Sequence, residues 1–90
     1  MFKQLASQRV QHDSGYIVQV ADRNSVEYLE PNLRVAVAVD FGVRVNVYGD
    51  SLLAYDDLQN PVPLSDEKRK QVLAGIVSGL SAMGVEAVIC

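Results

Sequence analysis

The chain has 90 residues, 49% of them apolar and 21% charged, which suits one domain of ordinary globular composition and argues against disorder. Its net charge of −3 excludes the strong positive field that direct nucleic-acid binding needs. A domain this small has little room for both a core and a deep active-site cavity.

Cysteine usage and the absence of long apolar runs bear on location. Cys90 is the only cysteine, so the chain forms no internal disulfide, which fits a reducing compartment. Residues 1–15 lack the apolar stretch of a signal peptide, and no apolar run approaches the roughly 18 residues that span a bilayer. We therefore expect a cytoplasmic protein that does not enter a membrane.

The first fourteen residues are polar and weakly patterned. They predict an N-terminal arm or short strand, residues 1–14, ahead of a single α+β domain, residues 15–90. The one histidine, His12, is followed directly by Asp13 and Ser14, but neighbours in sequence rarely form a catalytic triad. We interpret His12 as a solvated side chain.

Two strands are predicted at residues 16–21 and 26–30, joined by the loop 22–24 with Asn24 in the left-handed conformation. This loop fixes the register of the hairpin. The residues it places opposite one another are Val20 and Val26, Val18 and Tyr28, and Ile17 and Leu29.

A valine-rich hairpin comes next, with strict alternation of apolar and polar residues over 33–39 and 43–48. Matching the valines predicts a three-residue loop, 40–42, in which Gly42 takes a positive φ. The predicted pairs are Val39 with Val43, Val37 with Val45, and Val35 with Val47. The opposite face carries Arg34, Arg44, Asn46 and Tyr48 around Ala36 and Ala38.

The segment from Asp50 to Glu67 contains five acids and neither Lys nor Arg. Residues 51–55 predict a short strand or one helical turn, and the two prolines of residues 60–63 exclude regular structure there. Asp50, Asp56 and Asp57 lack the alternating ligand spacing of a calcium loop. We interpret them as an acidic loop and predict neither a metal site nor a cofactor.

A helix opens at Ser65, whose hydroxyl can cap free N–H groups, and ends at Gly84. Gly75 and Gly79 are expected to allow close packing on the sheet, and residues 85–90 are apolar enough to return as a final strand. The predicted apolar stripe contains Leu73, Ile76, Val77, Leu80 and Met83, widened by Val72.

These elements predict an α+β, two-layer fold, in which an antiparallel β-meander of about four strands is covered by one C-terminal helix. Gly15 to Gly84 resembles a family of bacterial polymorphic-toxin immunity proteins, the group catalogued as immunity protein seventy-four. The resemblance lies in the order of GYI at 15–17, VEYLE at 26–30, VYGDSL at 47–52, LSDEKR at 64–69 and VLAGIVSGL at 72–80.

The resemblance implies a cytosolic protein, without catalytic residues, that binds and neutralises one cognate toxin. A basic nuclease would match an acidic loop. Because binding residues concentrate on loops and aromatic side chains dominate hot spots, we expect the partner to contact this loop and the polar face of the valine hairpin. The predicted partner-binding residues are Asp50, Tyr55, Asp56, Asp57, Tyr48 and Arg44.

Two other classes of function stay open at this point. A homodimeric assembly or chaperone-like adaptor would pair through a sheet edge or the helix. A very small hydrolase would show a polar cleft around His12, Tyr55 or the aspartates.

Overall fold

The computed structural model describes all 90 residues and contains eight strands, one α-helix and a short 3₁₀ helix. The helix α1 is Asp66–Ala82, and the 3₁₀ helix is Gly49–Ser51. The strands are β1 (Phe2–Ala6), β2 (Arg9–His12), β3 (Ile17–Asp22), β4 (Ser25–Glu30), β5 (Leu33–Phe41), β6 (Val45–Val47), β7 (Leu53–Tyr55) and β8 (Ala87–Ile89).

The strands form one sheet in the order β1-β2-β3-β4-β5-β6-β8, and β7 pairs with β5 beside β6. All pairs are antiparallel except β6 with β8. The helix packs against β2, β3, β4 and β8. The predicted α+β class is confirmed, and the possible final strand is present as β8. The prediction of about four strands in the meander was wrong, because β1 and β2 extend the sheet at the N-terminal end and β7 pairs with β5.

Residues 1–14 contain two strands where we predicted an arm or one short strand. β1 and β2 form a hairpin, and β2 continues the sheet by pairing with β3. Val10 is buried among the core residues. The weak polar pattern reflects a hairpin in which β1 is an edge strand exposed along most of its length.

The predicted register of the β3–β4 hairpin is confirmed, with Val18 opposite Tyr28 and Val20 opposite Val26. The conformation of its loop was predicted wrongly, because Asn24 does not take a positive φ. Instead, the Asn24 N–H donates to Asp22 Oδ1 at 2.8 Å. This side-chain hydrogen bond closes the turn without a left-handed residue.

The predicted register of the valine hairpin was wrong by four residues. Val39 pairs with Val47, Phe41 pairs with Val45, and Val43 is fully exposed in the loop. Because side chains alternate between the two faces with a period of two, a register shift of four residues leaves all the remaining valines of the hairpin on the buried face. Val35 and Val37 then pair with β4 along one side, and Val35 also faces Ala54 of β7.

The ends of α1 are as predicted. The Lys68 N–H donates to Ser65 Oγ at 3.1 Å, and Gly84 follows the last turn with φ +86°. The Val85 N–H donates to the carbonyl of Leu80 and the Gly84 N–H to that of Ser81. These two bonds form a Schellman motif.

Of the predicted stripe, Val72, Ile76 and Leu80 are fully buried, whereas Leu73, Val77 and Met83 are half-buried. Gly75 and Gly79 join the buried face, so its centre is rotated toward the glycines. The rotation follows from the glycines, as expected for close packing. A Cβ built on Gly79 would lie 2.6 Å from the Cβ of Val18. Only glycine lets the helix backbone rest on β3 at this distance.

One cluster of fourteen side chains forms the core, and no polar or charged residue is fully buried in it. It joins the inner faces of the strands to the buried stripe of the helix. Its members are Val10, Val18, Val26, Tyr28, Val35, Val37, Val39, Val45, Val47, Leu52, Ala54, Val72, Ile76 and Leu80.

Candidate partner-binding surface

The chain between β6 and Pro61 carries an unusual amount of exposed apolar surface for so short a segment. Three of the eight large hydrophobic side chains exposed in the whole protein lie here: Tyr48 is 41% exposed, Leu53 58% and Leu58 76%. Large apolar side chains clustered on a surface, as opposed to scattered singly, are typical of interaction sites.

Leu58 is presented by a hydrogen-bonded turn, residues 56–60. The Asp56 carboxylate accepts the Leu58 N–H at 2.9 Å and the Asn60 N–H at 2.8 Å. The backbone closes the same turn, because Asp56 N–H donates to Asn60 O and Gln59 N–H donates to Asp56 O, both at 3.0 Å. Asp57 and Leu58 are exposed at its tip.

Arg34 of β5 fastens this turn to the outer face of the sheet. Its Nη2 donates to Gln59 Oε1 at 2.8 Å, and its Nη1 forms an ion pair with Glu27 at 3.2 Å. The guanidinium carbon lies 5.4 Å from the centre of the Tyr55 ring, in a cation–π contact. The turn is therefore tied to β4, β5 and β7 at once.

These contacts divide the predicted site residues at the turn into two kinds. Asp56 caps backbone N–H groups, so a role in the fold accounts for it. Tyr55 is half-buried and holds the Arg34 guanidinium. Asp57 has no such internal role and stays available to a partner.

Asp50 lies apart from the turn, in the 3₁₀ helix. It is exposed and lines a shallow cleft with Asp66, Arg69 and Lys70. Asp50 therefore has basic neighbours in space that it lacks in sequence. The acid-only stretch is one block along the chain, but in the fold its uncompensated part lies at the turn 56–60.

Tyr48 directly follows β6, and Arg44 lies in the loop before it. The Tyr48 N–H donates to Ala38 O at 3.0 Å, so Tyr48 lies beside Ala38 on the outer face, as predicted. Arg44 is exposed in the loop 42–44, next to the exposed Val43. The fold does not bring Arg44 to the turn 56–60.

A second polar cluster lies between β4 and the helix. Glu30 Oε2 accepts hydrogen bonds from Tyr28 Oη at 2.5 Å and from Lys68 Nζ at 2.6 Å. Burial alone would raise the pKa of Glu30, but the bonds from Lys68 and Tyr28 and the lysine charge outweigh burial and lower it. Burial and the neighbouring Glu30 carboxylate strongly raise the pKa of Tyr28.

Aromatic rings lead from this cluster to the N-terminal hairpin. Tyr16 stacks on Tyr28 with 4.9 Å between ring centres, and His12 stacks on Tyr16 at 4.8 Å. Phe2 meets both His12 and Tyr16 edge-on. His12 is thus packed in a stack, where we predicted a solvated side chain.

His12 also lies beside Ser14, with 2.9 Å between Nδ1 and Oγ. The same ring nitrogen accepts the Ser14 backbone N–H at 3.0 Å, so the contact belongs to a local turn. The Asp13 carboxylate makes no hydrogen bond to the His12 ring and accepts one from the Met1 ammonium at 3.0 Å. These three residues do not have the arrangement of a catalytic triad.

Other side-chain groupings add little to the choice of site. No three His, Cys, Asp or Glu side chains converge in a way that would hold a metal ion. None of the helices has the length and apolar character that a membrane crossing requires. The exposed thiol of Cys90 is the one free cysteine.

Sequence reasoning missed the residues that give the surface its shape. Leu53 and Leu58 were not singled out, because an isolated leucine in a loop is common. Arg34 was placed on the polar face without its link to Gln59, which lies 25 residues away. The available signal was Leu58 itself, an apolar residue within the run of polar and turn-forming residues 56–60.

Comparisons with protein-family models, with curated proteins and with solved structures found no match to this chain.

Proposed function

We propose that this chain is an immunity protein that binds a cognate bacterial toxin in the cytoplasm and neutralises it by protein–protein interaction. The order of sequence features from Gly15 to Gly84 supports the family. The observation that carries the binding role is the fixed turn 56–60, which holds Leu58 76% exposed beside the unpaired carboxylate of Asp57.

The turn supplies both parts of a binding site. Leu58 is an apolar anchor whose burial in a partner pocket removes a large hydrophobic surface from water. Asp57 adds a negative charge that attracts a basic partner and speeds its approach. Because Asp56 and Arg34 already fix the turn, little conformational entropy is lost when a partner docks.

The experiment measures association of the full chain with the toxin domain encoded by the neighbouring upstream gene, by surface plasmon resonance at increasing salt. Leu58→Ser should weaken affinity at least about tenfold, mainly through faster dissociation. Asp57→Asn should slow association and flatten its salt dependence, with dissociation little changed.

Leu5→Ser is the matched control, because Leu5 is another exposed leucine and lies on β1, away from the turn. It should leave both rate constants unchanged. A toxin whose binding ignores Leu58→Ser and whose association ignores both salt and Asp57→Asn docks elsewhere, and this surface assignment would then be withdrawn. Absence of any binding to that toxin would contradict the proposed function itself.

A homodimeric adaptor is the second candidate, and the free edge of β1 favours it. β1 pairs only with β2, and the side chains of Met1 and Leu5 are exposed along it. Unpaired strand edges are ready places for a second copy to add. Sedimentation velocity tests this candidate, because the adaptor requires a stable dimer that a Leu5→Lys substitution abolishes.

A further inference from the structure

The turn 56–60 holds one residue, Gln59, in a strained backbone conformation. The turn closes as a hairpin loop of three residues, 57–59, because the Asp56 N–H donates to Asn60 O at 3.0 Å. Gln59 is the last of the three and has φ 66°, in the left-handed region. Three-residue hairpin loops commonly place a left-handed residue at this position, and glycine suits it best because glycine has no Cβ to clash.

One other non-glycine residue of the protein has a positive φ, and the comparison sets Gln59 apart. That residue is Asn32, with φ 64°, in the turn between β4 and β5. Asparagine tolerates the left-handed conformation, because its short side chain can hydrogen-bond to the local backbone. Glutamine is longer and makes this local bond less readily, so the conformation of Gln59 costs free energy that another contact must offset.

The side chain of Gln59 makes such a contact. Its Oε1 accepts from Arg34 Nη2 at 2.8 Å, across 25 residues of sequence. The guanidinium cannot follow a shorter side chain freely, because its Nη1 pairs with Glu27 at 3.2 Å and its carbon lies over the Tyr55 ring. Arg34 Nε is itself buried. A glycine at position 59 would relieve the backbone, but the tip of the turn would then lose its link to the sheet.

We propose, on the basis of the function proposed above, that Gln59 is a positioning residue for partner binding. Its amide holds the tip of the turn, and with it Leu58, in one orientation on the sheet, although its own backbone is strained. A loop that is fixed before docking loses less conformational entropy than a mobile loop with the same contact residues. Gln59 therefore lowers local stability and raises affinity for the partner.

Gln59→Asn is the decisive variant. Asparagine keeps the amide and tolerates the left-handed conformation, but it is one methylene too short to reach Arg34. The urea unfolding midpoint of this variant should equal or exceed that of the natural protein. Hydrogen exchange at the Leu58 and Asn60 amides, followed by NMR on the ¹⁵N-labelled full chain, should become about fivefold faster.

The same variant should dissociate about fivefold faster from the toxin domain encoded by the upstream gene, measured by surface plasmon resonance. Gln59→Glu is the rescue variant, because its carboxylate has the length of glutamine and accepts from Arg34. It should keep the natural exchange and dissociation rates. Gln4→Asn is the control, since it makes the same chemical change on β1, at the far end of the sheet, and should alter none of these quantities.

Three results would each overturn the role of Gln59. They are unchanged amide exchange at Leu58 in Gln59→Asn, unchanged dissociation of that variant from the toxin, and an unfolding midpoint below that of the natural protein. The proposed function fails separately. If the natural protein does not bind the toxin, the immunity function is rejected together with the binding role of Gln59, and the exchange rates alone decide whether Gln59 fixes the turn.

Discussion

Glu30 carries a partly buried charge that two side chains stabilise. Its carboxylate accepts from both Tyr28 and Lys68, and its pKa is lowered although burial opposes this. A carboxyl whose pKa is lower in the folded than in the unfolded state stabilises the fold above the unfolded-state pKa, about 4.3. That stabilisation is lost as the pH falls through the folded-state pKa.

Glu30→Gln should therefore destabilise the protein at pH 7 by about 1–2 kcal/mol, and this loss should shrink as the pH falls through the folded-state pKa of Glu30. Urea unfolding of both proteins between pH 3 and pH 7 measures the difference. Glu86→Gln is the control, since Glu86 is an exposed acid outside this cluster. If the two proteins differed by the same free energy of unfolding at every pH, the charge of Glu30 would not stabilise the fold.

Gly79 shows how a single missing side chain sets the distance between two elements. Gly79→Ala gains about 1 kcal/mol of helix propensity, but its Cβ would lie 2.6 Å from Val18 Cβ, which cannot move without β3. We expect a net loss of about 1–3 kcal/mol in the free energy of unfolding, measured in urea.

Two neighbours provide the comparison for this substitution. At Gly75 the nearest atom to a new Cβ is Tyr28 Cε2, at 3.0 Å, so Gly75→Ala should cost less than Gly79→Ala. Ser78→Ala, on the exposed face, should be neutral or slightly stabilising. An unfolding midpoint of Gly79→Ala equal to that of Ser78→Ala would contradict the close approach.

At the scale of the elements, the register of the valine hairpin is open to a direct test. Val45 is buried and Val43 fully exposed, whereas the sequence pattern alone makes them equivalent. Val45→Ala should destabilise by roughly 1–3 kcal/mol, and Val43→Ala should stay within about 0.5 kcal/mol of the natural protein. Thermal and urea unfolding check both, and equal losses would support the register that the sequence suggested.

The elements with local signals were the predictable ones. The helix was visible from Ser65 and Gly84, and the β3–β4 register followed from its tight turn. The valine hairpin was ambiguous because identical residues at a period of two fit several registers equally well. The strand β7 was one of two alternatives, since three residues carry too little pattern to exclude a helical turn.

At the scale of the whole molecule, the sequence did not reveal which strands pair when they lie far apart in the chain. β5 meets β7 through Arg34 and Tyr55, and β8 returns across the helix to lie parallel to β6. The candidate surface shares this limit. Its acids were visible in the sequence, but its fixed turn depends on Arg34 reaching Gln59, 25 residues away.

The central position of β5 determines how its backbone amides exchange with solvent. One side of it pairs with β4, and the other side is shared by β7 and β6. The gap between those two partners is closed at Ala38, whose N–H donates to Ser51 Oγ and whose carbonyl accepts from Tyr48. The backbone amides of β5 should therefore exchange with deuterium last, through global unfolding. The amides of the edge strands β1 and β8 should exchange sooner, through local fraying.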